Sequence, residues 1–113
     1  MSTPDDKLQA ALRVLRAEYL DDAPRRLAEL WTAFARVQFG DAESLTRLQS
    51  LLHKLAGTGG AYGLPAVTDT ARAAEQRCHA LSSAGVPPTS SDVQQLRTLI
   101  QGVADAFDAS SQE

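Results

Sequence analysis

Apolar residues recur at intervals of three and four along almost the whole chain, which is the spacing of a helix face. Leu8, Leu12, Leu15 and Tyr19 form one set, and Leu27, Leu30, Trp31 and Phe34 a second. Leu45, Leu48, Leu52 and Leu55 form a third, and Val67, Ala71, Ala74, Cys78 and Leu81 a fourth. Val93, Leu96, Ile100, Val103 and Phe107 complete the series. No stretch shows the two-residue alternation, rich in β-branched residues, of a half-buried strand. An all-α fold is predicted.

The residues between these sets act as breaks. Phe39-Gly40-Asp41 reads as a glycine stop followed by a capping aspartate. In Gly63-Leu64-Pro65 the proline stands near a helix start, where its missing N–H does no harm. Gly85 to Ser91 is the clearest loop, and Thr89, Ser90 and Ser91 all offer capping oxygens to the last helix. Asp21-Asp22-Ala23-Pro24 fits either a turn or a kink in one longer helix. Four longer helices on short loops pack most simply as an antiparallel up-down bundle, with the N-terminal segment as an additional helix. The 113 residues fit a single domain, 1–113, whose last residues, Ala109 to Glu113, are expected to fray.

Composition narrows the function. With 43% hydrophobic residues the chain can build a core, and with 22% charged residues it does not resemble a disordered segment. A net charge of −3 argues against nucleic acid and against an anionic membrane surface, both of which call for a basic face. The polar, acidic start has no secretory-signal layout, and no apolar run approaches the roughly 18 residues of a membrane span. Cys78 stands alone, so no intrachain disulfide is possible. These features together point to a cytoplasmic protein. Met1 and the short tails suggest a free-standing shuttle, expected to be a monomer.

One segment does not suit a plain bundle. Between Leu51 and Gly63, glycines stand at positions 57, 59, 60 and 63 of an otherwise helical pattern. Each interior glycine costs a helix about 0.8–1 kcal/mol relative to alanine, so three cost roughly 2–3 kcal/mol. Against a typical domain stability of about 5–15 kcal/mol, that calls for an offsetting use. The glycines could admit a neighbouring helix, or the helix could end at Gly57 and leave a loop. A third use follows from position. Gln49, His53, Gly57 and Gly60 share one stripe, beside the Leu45/Leu48/Leu52/Leu55 face and not on it. On that stripe an exposed imidazole borders turns that carry no side chain, which clears a landing area around it.

At these residues the chain resembles histidine-containing phosphotransfer (HPt) domains of bacterial two-component systems. The likeness runs from His53-Lys-Leu-Ala-Gly57 to Gly63, through Leu64-Pro65-Ala-Val67, and on to Ala74-Glu75. The resemblance implies that His53 accepts a phosphoryl group from an aspartyl phosphate on a receiver domain and passes it to another receiver. It implies that Glu75 orients the imidazole. The partners implied are response-regulator receiver domains and a sensor or hybrid histidine kinase. No intrinsic cofactor is implied, since the metal ion is expected on the receiver, and the protein would be a phosphocarrier and not a complete enzyme. Many members carry lysine where this chain has Ala56. Lys54 is one substitute for that charge. Arg72 is the other, because an antiparallel pairing that sets His53 opposite Glu75 also sets Arg72 level with Ala56. Gln49, Gly57 and Gly60 complete the expected docking surface.

Two other readings compete with this one. A metal site has only His53, Cys78 and His79 to draw on; Cys78 lies on an apolar stripe as a small core residue, and His79 faces solvent. No metal site is predicted. A helical adaptor that binds receiver or kinase domains without phosphotransfer is the alternative function, and it gains from the missing lysine at Ala56.

Overall fold

A computed structural model of the chain describes residues 3–38 and 40–112. The described residues form five helices: α1 (Pro4–Asp21), α2 (Ala23–Gln38), α3 (Ala42–Ala61), α4 (Pro65–Ser83) and α5 (Ser90–Ser111). The all-α architecture is as predicted, with α2 to α5 forming the up-down bundle and α1 added at one end. The five apolar sets meet different fates. Leu30, Phe34, Leu48, Leu52, Val67, Cys78, Leu96, Ile100, Val103 and Phe107 are almost completely buried and make the core. Leu8, Leu12 and Leu15 stay exposed, and of the first set only Tyr19 is buried. The spacing establishes that α1 has an apolar face. Whether another helix covers that face depends on where α1 points, and it runs past the end of the bundle.

The starts and stops follow the local chemistry. Gly40 takes φ +85°, and Asp41 then caps α3 by accepting from the Glu43 and Ser44 amides at 3.1 and 3.4 Å. Phe39, read with them as part of this break, lies outside the described residues. Pro65 stands in the first turn of α4. Of the three candidate caps for α5, Thr89 is the one used: its hydroxyl accepts from the Asp92 amide at 3.1 Å, and the Asp92 carboxylate accepts from the Thr89 amide at 2.9 Å. Of the residues expected to fray, Ala109 to Ser111 are helical, with the Ser110 and Ser111 hydroxyls donating to the carbonyls of Ala106 and Phe107, and Glu113 lies outside the described residues.

Between α1 and α2 the break is a single residue, closer to the kink than to the turn. The Asp22 amide still donates to the Glu18 and Tyr19 carbonyls, and the Asp22 carbonyl accepts from the Arg26 amide. Pro24 removes one donor at the joint. Asp22 also binds the Arg25 guanidinium at 2.9 and 2.7 Å. Tyr19 anchors the far side of the joint. Its ring packs on Tyr62 and Phe107, with centroids 4.9 and 5.9 Å away, and lies under the Arg26 guanidinium. Its hydroxyl donates to Thr58 Oγ1 at 2.6 Å, while the Thr58 hydroxyl donates to the Lys54 carbonyl at 2.9 Å. This link between α1 and α3 was not foreseen from the sequence.

Helix α3 does not stop at Gly57 but runs through the glycines to Ala61. It then reverses into α4 over Tyr62, Gly63 and Leu64. Gly63 takes φ +71°, and the Leu64 amide donates to the Gly59 carbonyl at 2.8 Å. At Gly59 the two helices approach closely. A Cβ built there meets Thr68 Oγ1 at 2.8 Å, the Thr68 amide nitrogen at 3.1 Å and a Val67 methyl at 3.2 Å. Thr68 seals the contact by donating to the Ala56 carbonyl at 3.0 Å. The packing use of glycine therefore holds at this position.

Candidate functional site

Close packing of α3 against α4 brings His53 and Glu75 together. The His53 Nδ1 lies 2.9 Å from Glu75 Oε1 and 3.2 Å from Oε2. A carboxylate only accepts, so Nδ1 carries the proton and donates it, which leaves a lone pair on Nε2 of the neutral ring. The His53 side chain is 77% exposed and that of Glu75 only 22%. The carboxylate is thus set into the α3–α4 groove, and the imidazole stands on it with Nε2 directed away from its anchor. This is the arrangement of a nucleophilic imidazole held in one tautomer.

One turn back toward the start of α3, Gln49 Nε2 lies 3.5 Å from His79 Nδ1, at the outer limit of a hydrogen bond. Both pairings belong to one antiparallel register, and by the same count Arg72 falls level with Ala56. Ala56 is 5% exposed, so the position where many HPt domains carry lysine lies at the buried edge of the groove here. Arg72 is exposed on α4, three residues before Glu75. Lys54 is exposed too, but it lines the hollow between α2 and α3 with Arg25 and Glu29, on the other side of α3 from Glu75. Neither cation makes an ion pair with the described residues.

The other glycines behave as the stripe predicts. Gly57 and Gly60 are exposed; a Cβ at Gly57 would meet nothing within 4 Å, and one at Gly60 only Thr68 Oγ1 at 3.6 Å. Packing therefore gives no reason for Gly57. Gly57→Ala is expected to raise stability by about 0.8–1 kcal/mol, the ordinary helix-propensity gain, as a shift in the denaturant midpoint. Gly57→Leu should stay folded yet impair docking of a protein onto His53; unchanged phosphoryl transfer in that variant would defeat the clearing argument.

Cys78 is fully buried, and burial pushes its thiol up to about 12, with the nearby Glu75 charge as a smaller cause. His79 is exposed. Among the described residues no three His, Cys, Asp or Glu side chains group as metal ligands. No helix among them is long and apolar enough to cross a membrane.

The bundle and the carboxylate-held histidine define a class of helical domain that presents an imidazole on its surface. The sequence profile of the Hpt domain matches residues 14–106, from the second half of α1 to Ala106 in α5. The chain belongs to the Hpt domain family, whose members are the histidine phosphotransfer domains of phosphorelays and act as phosphocarriers. No curated protein and no solved structure matches the chain.

Proposed function

We propose that this protein relays a phosphoryl group between receiver domains, from an aspartyl phosphate to His53 and on to a second aspartate. The observation that carries the reading is the 2.9 Å contact between His53 Nδ1 and Glu75 beside an exposed ring. In the forward step the Nε2 lone pair forms the N–P bond as the P–O bond to the donor aspartate breaks. The aspartate leaves as a carboxylate, and the ring acquires positive charge that Glu75 offsets. The return step reverses this. Positioning and charge stabilisation dominate such transfers, so the domain needs no metal of its own when the receiver brings one. The partners are receiver domains and a sensor or hybrid histidine kinase, met in the cytoplasm.

Glu75 acts as a positioning residue. Glu75→Ala is expected to slow phosphorylation of His53 by about 10–100-fold, as loss of an orienting partner does elsewhere. Glu75→Gln should lose less, because an amide oxygen still accepts from Nδ1. Equal rates in both variants and wild type, measured by stopped transfer from a labelled receiver, would remove Glu75 from the site.

The charge that lysine supplies in many members falls here to Arg72 before Lys54, because Lys54 lines the hollow between α2 and α3 on the far side of α3 from Glu75. Arg72→Ala and Lys54→Ala are to be compared in the same assay. Wild-type rates in both would leave the phosphoryl group without a cation from this chain.

The reading as a whole is tested by mixing the protein with phosphorylated receiver domains and following label onto it. Acid-labile label on His53 supports it. Tight receiver binding with no label would favour the adaptor alternative, to which the buried alanine at position 56 lends weight.

A further inference from the structure

We propose that His79 is a second functional residue of the His53 site, donating from its Nε2 to the phosphoryl group that His53 carries. The inference rests on the phosphoryl-acceptor reading of His53 and extends it to the next turn of the groove. Two imidazoles stand there, each exposed and each set against a half-buried partner on the facing helix. His53 meets the Glu75 carboxylate through Nδ1 at 2.9 Å, and His79 meets the Gln49 amide nitrogen through Nδ1 at 3.5 Å. The two partners impose opposite proton positions. A carboxylate only accepts, so His53 holds its proton on Nδ1 and keeps a lone pair on Nε2. An amide nitrogen only donates, so it favours the lone pair of His79 on Nδ1 and the proton on Nε2. At 3.5 Å the amide biases this ring more than it fixes it. One neutral ring is thereby a nucleophile and its neighbour a hydrogen-bond donor. The same assignment accounts for a single acceptor in a groove that holds two imidazoles.

Position supplies the rest. Glu75 lies three residues after Arg72 and four before His79, so the three share one face of α4. Four helical residues span about 6 Å, the same offset that separates Gln49 from His53 on α3. A phosphoryl group on His53 Nε2 therefore projects from the groove with Arg72 toward one end and His79 toward the other. It brings a charge of about −1.5 to −2 and three acceptor oxygens, as phosphorylated side chains do. Among the described residues the hydrogen-bond partner of His79 is Gln49, at Nδ1, which leaves the Nε2 proton for one of those oxygens. Gln49 then acts through His79, as a positioning residue.

The test uses phosphoramidate, a small phosphodonor that needs no docking surface. Its P–N bond breaks as His53 Nε2 bonds to phosphorus, and ammonia leaves. His79→Ala should slow labelling of His53 by about tenfold, the worth of one hydrogen bond to a charged group, with the melting transition unchanged. His79→Arg should stay near the wild-type rate, because a guanidinium also donates to phosphoryl oxygens. Nitrogen-15 shifts, read at a pH where both rings are neutral, should place the proton on Nδ1 of His53 and on Nε2 of His79. Gln49→Ala should give His79 a mixture of the two tautomers; an unchanged tautomer there overturns the role of Gln49. A wild-type rate in His79→Ala, or a His79 proton on Nδ1, overturns the proposal while leaving His53 as the acceptor. An unlabelled His53 in the wild-type protein overturns the acceptor reading instead, and this proposal with it.

Discussion

His53→Gln is expected to abolish phosphoryl acceptance while leaving the fold unchanged. The side chain is 77% exposed, and its hydrogen-bond partner among the described residues is Glu75. Removing it therefore opens no cavity and strands no buried core group, and the stability change should stay within about 0.5 kcal/mol, as for ordinary surface positions. The chemical effect is of another order, since an amide nitrogen has no lone pair free to attack phosphorus. Label transferred from a phosphorylated receiver should fall to background in this variant. His79 is the chain's other imidazole and sits in the same groove, with Gln49 near its Nδ1. Persistent label in His53→Gln that disappears on changing His79 would move the acceptor one turn along and overturn the assignment.

Gly59→Leu is expected to produce the largest loss of stability among the glycine variants. The first added carbon already sits 2.8 Å from Thr68 Oγ1 and 3.1 Å from the Thr68 amide nitrogen. The hydroxyl could rotate, but the amide belongs to the backbone of α4, so the helices must separate. Overpacking of this kind costs about 1–3 kcal/mol, and an isobutyl group adds to it. Even Gly59→Ala should gain little, because the propensity gain of about 0.8–1 kcal/mol is set against the clash. A drop in Tm of roughly 10 °C is expected for the leucine variant. Separation of α3 from α4 would also lengthen the His53–Glu75 contact, so transfer should slow at temperatures where the variant is still folded. A variant as stable as wild type would show that the approach of the two helices is not constrained at Gly59. Gly57→Ala, predicted to stabilise, is the control that separates the two glycines.

Much of the molecule could be read from residue order. Helical periodicity marked all five helices, because burial of one face repeats with the turn of the helix and needs no knowledge of the partner. Asp41, Pro65 and Thr89 marked helix starts, since a cap acts on amides within three or four residues of itself. The pairing of His53 with Glu75 rested on family resemblance, and the geometry agrees with it. Other features were not legible. The hydrogen bond from Tyr19 to Thr58 joins residues far apart in sequence, and neither has a local pattern that announces the other.

The glycine-crowded turn beside His53 shows where the division falls. The residue order by itself determined that α3 would carry an imidazole on a stripe with Gly57 and Gly60, because a helix fixes which residues share a face. It could not say which glycine serves packing and which serves access, since that depends on the distance to α4. Only the tertiary structure separated buried Gly59 from open Gly57, turned Lys54 toward α2, and left the leucines of α1 exposed. The physical reason is common to all three: periodicity specifies a direction around one helix, whereas contact requires the position of a second.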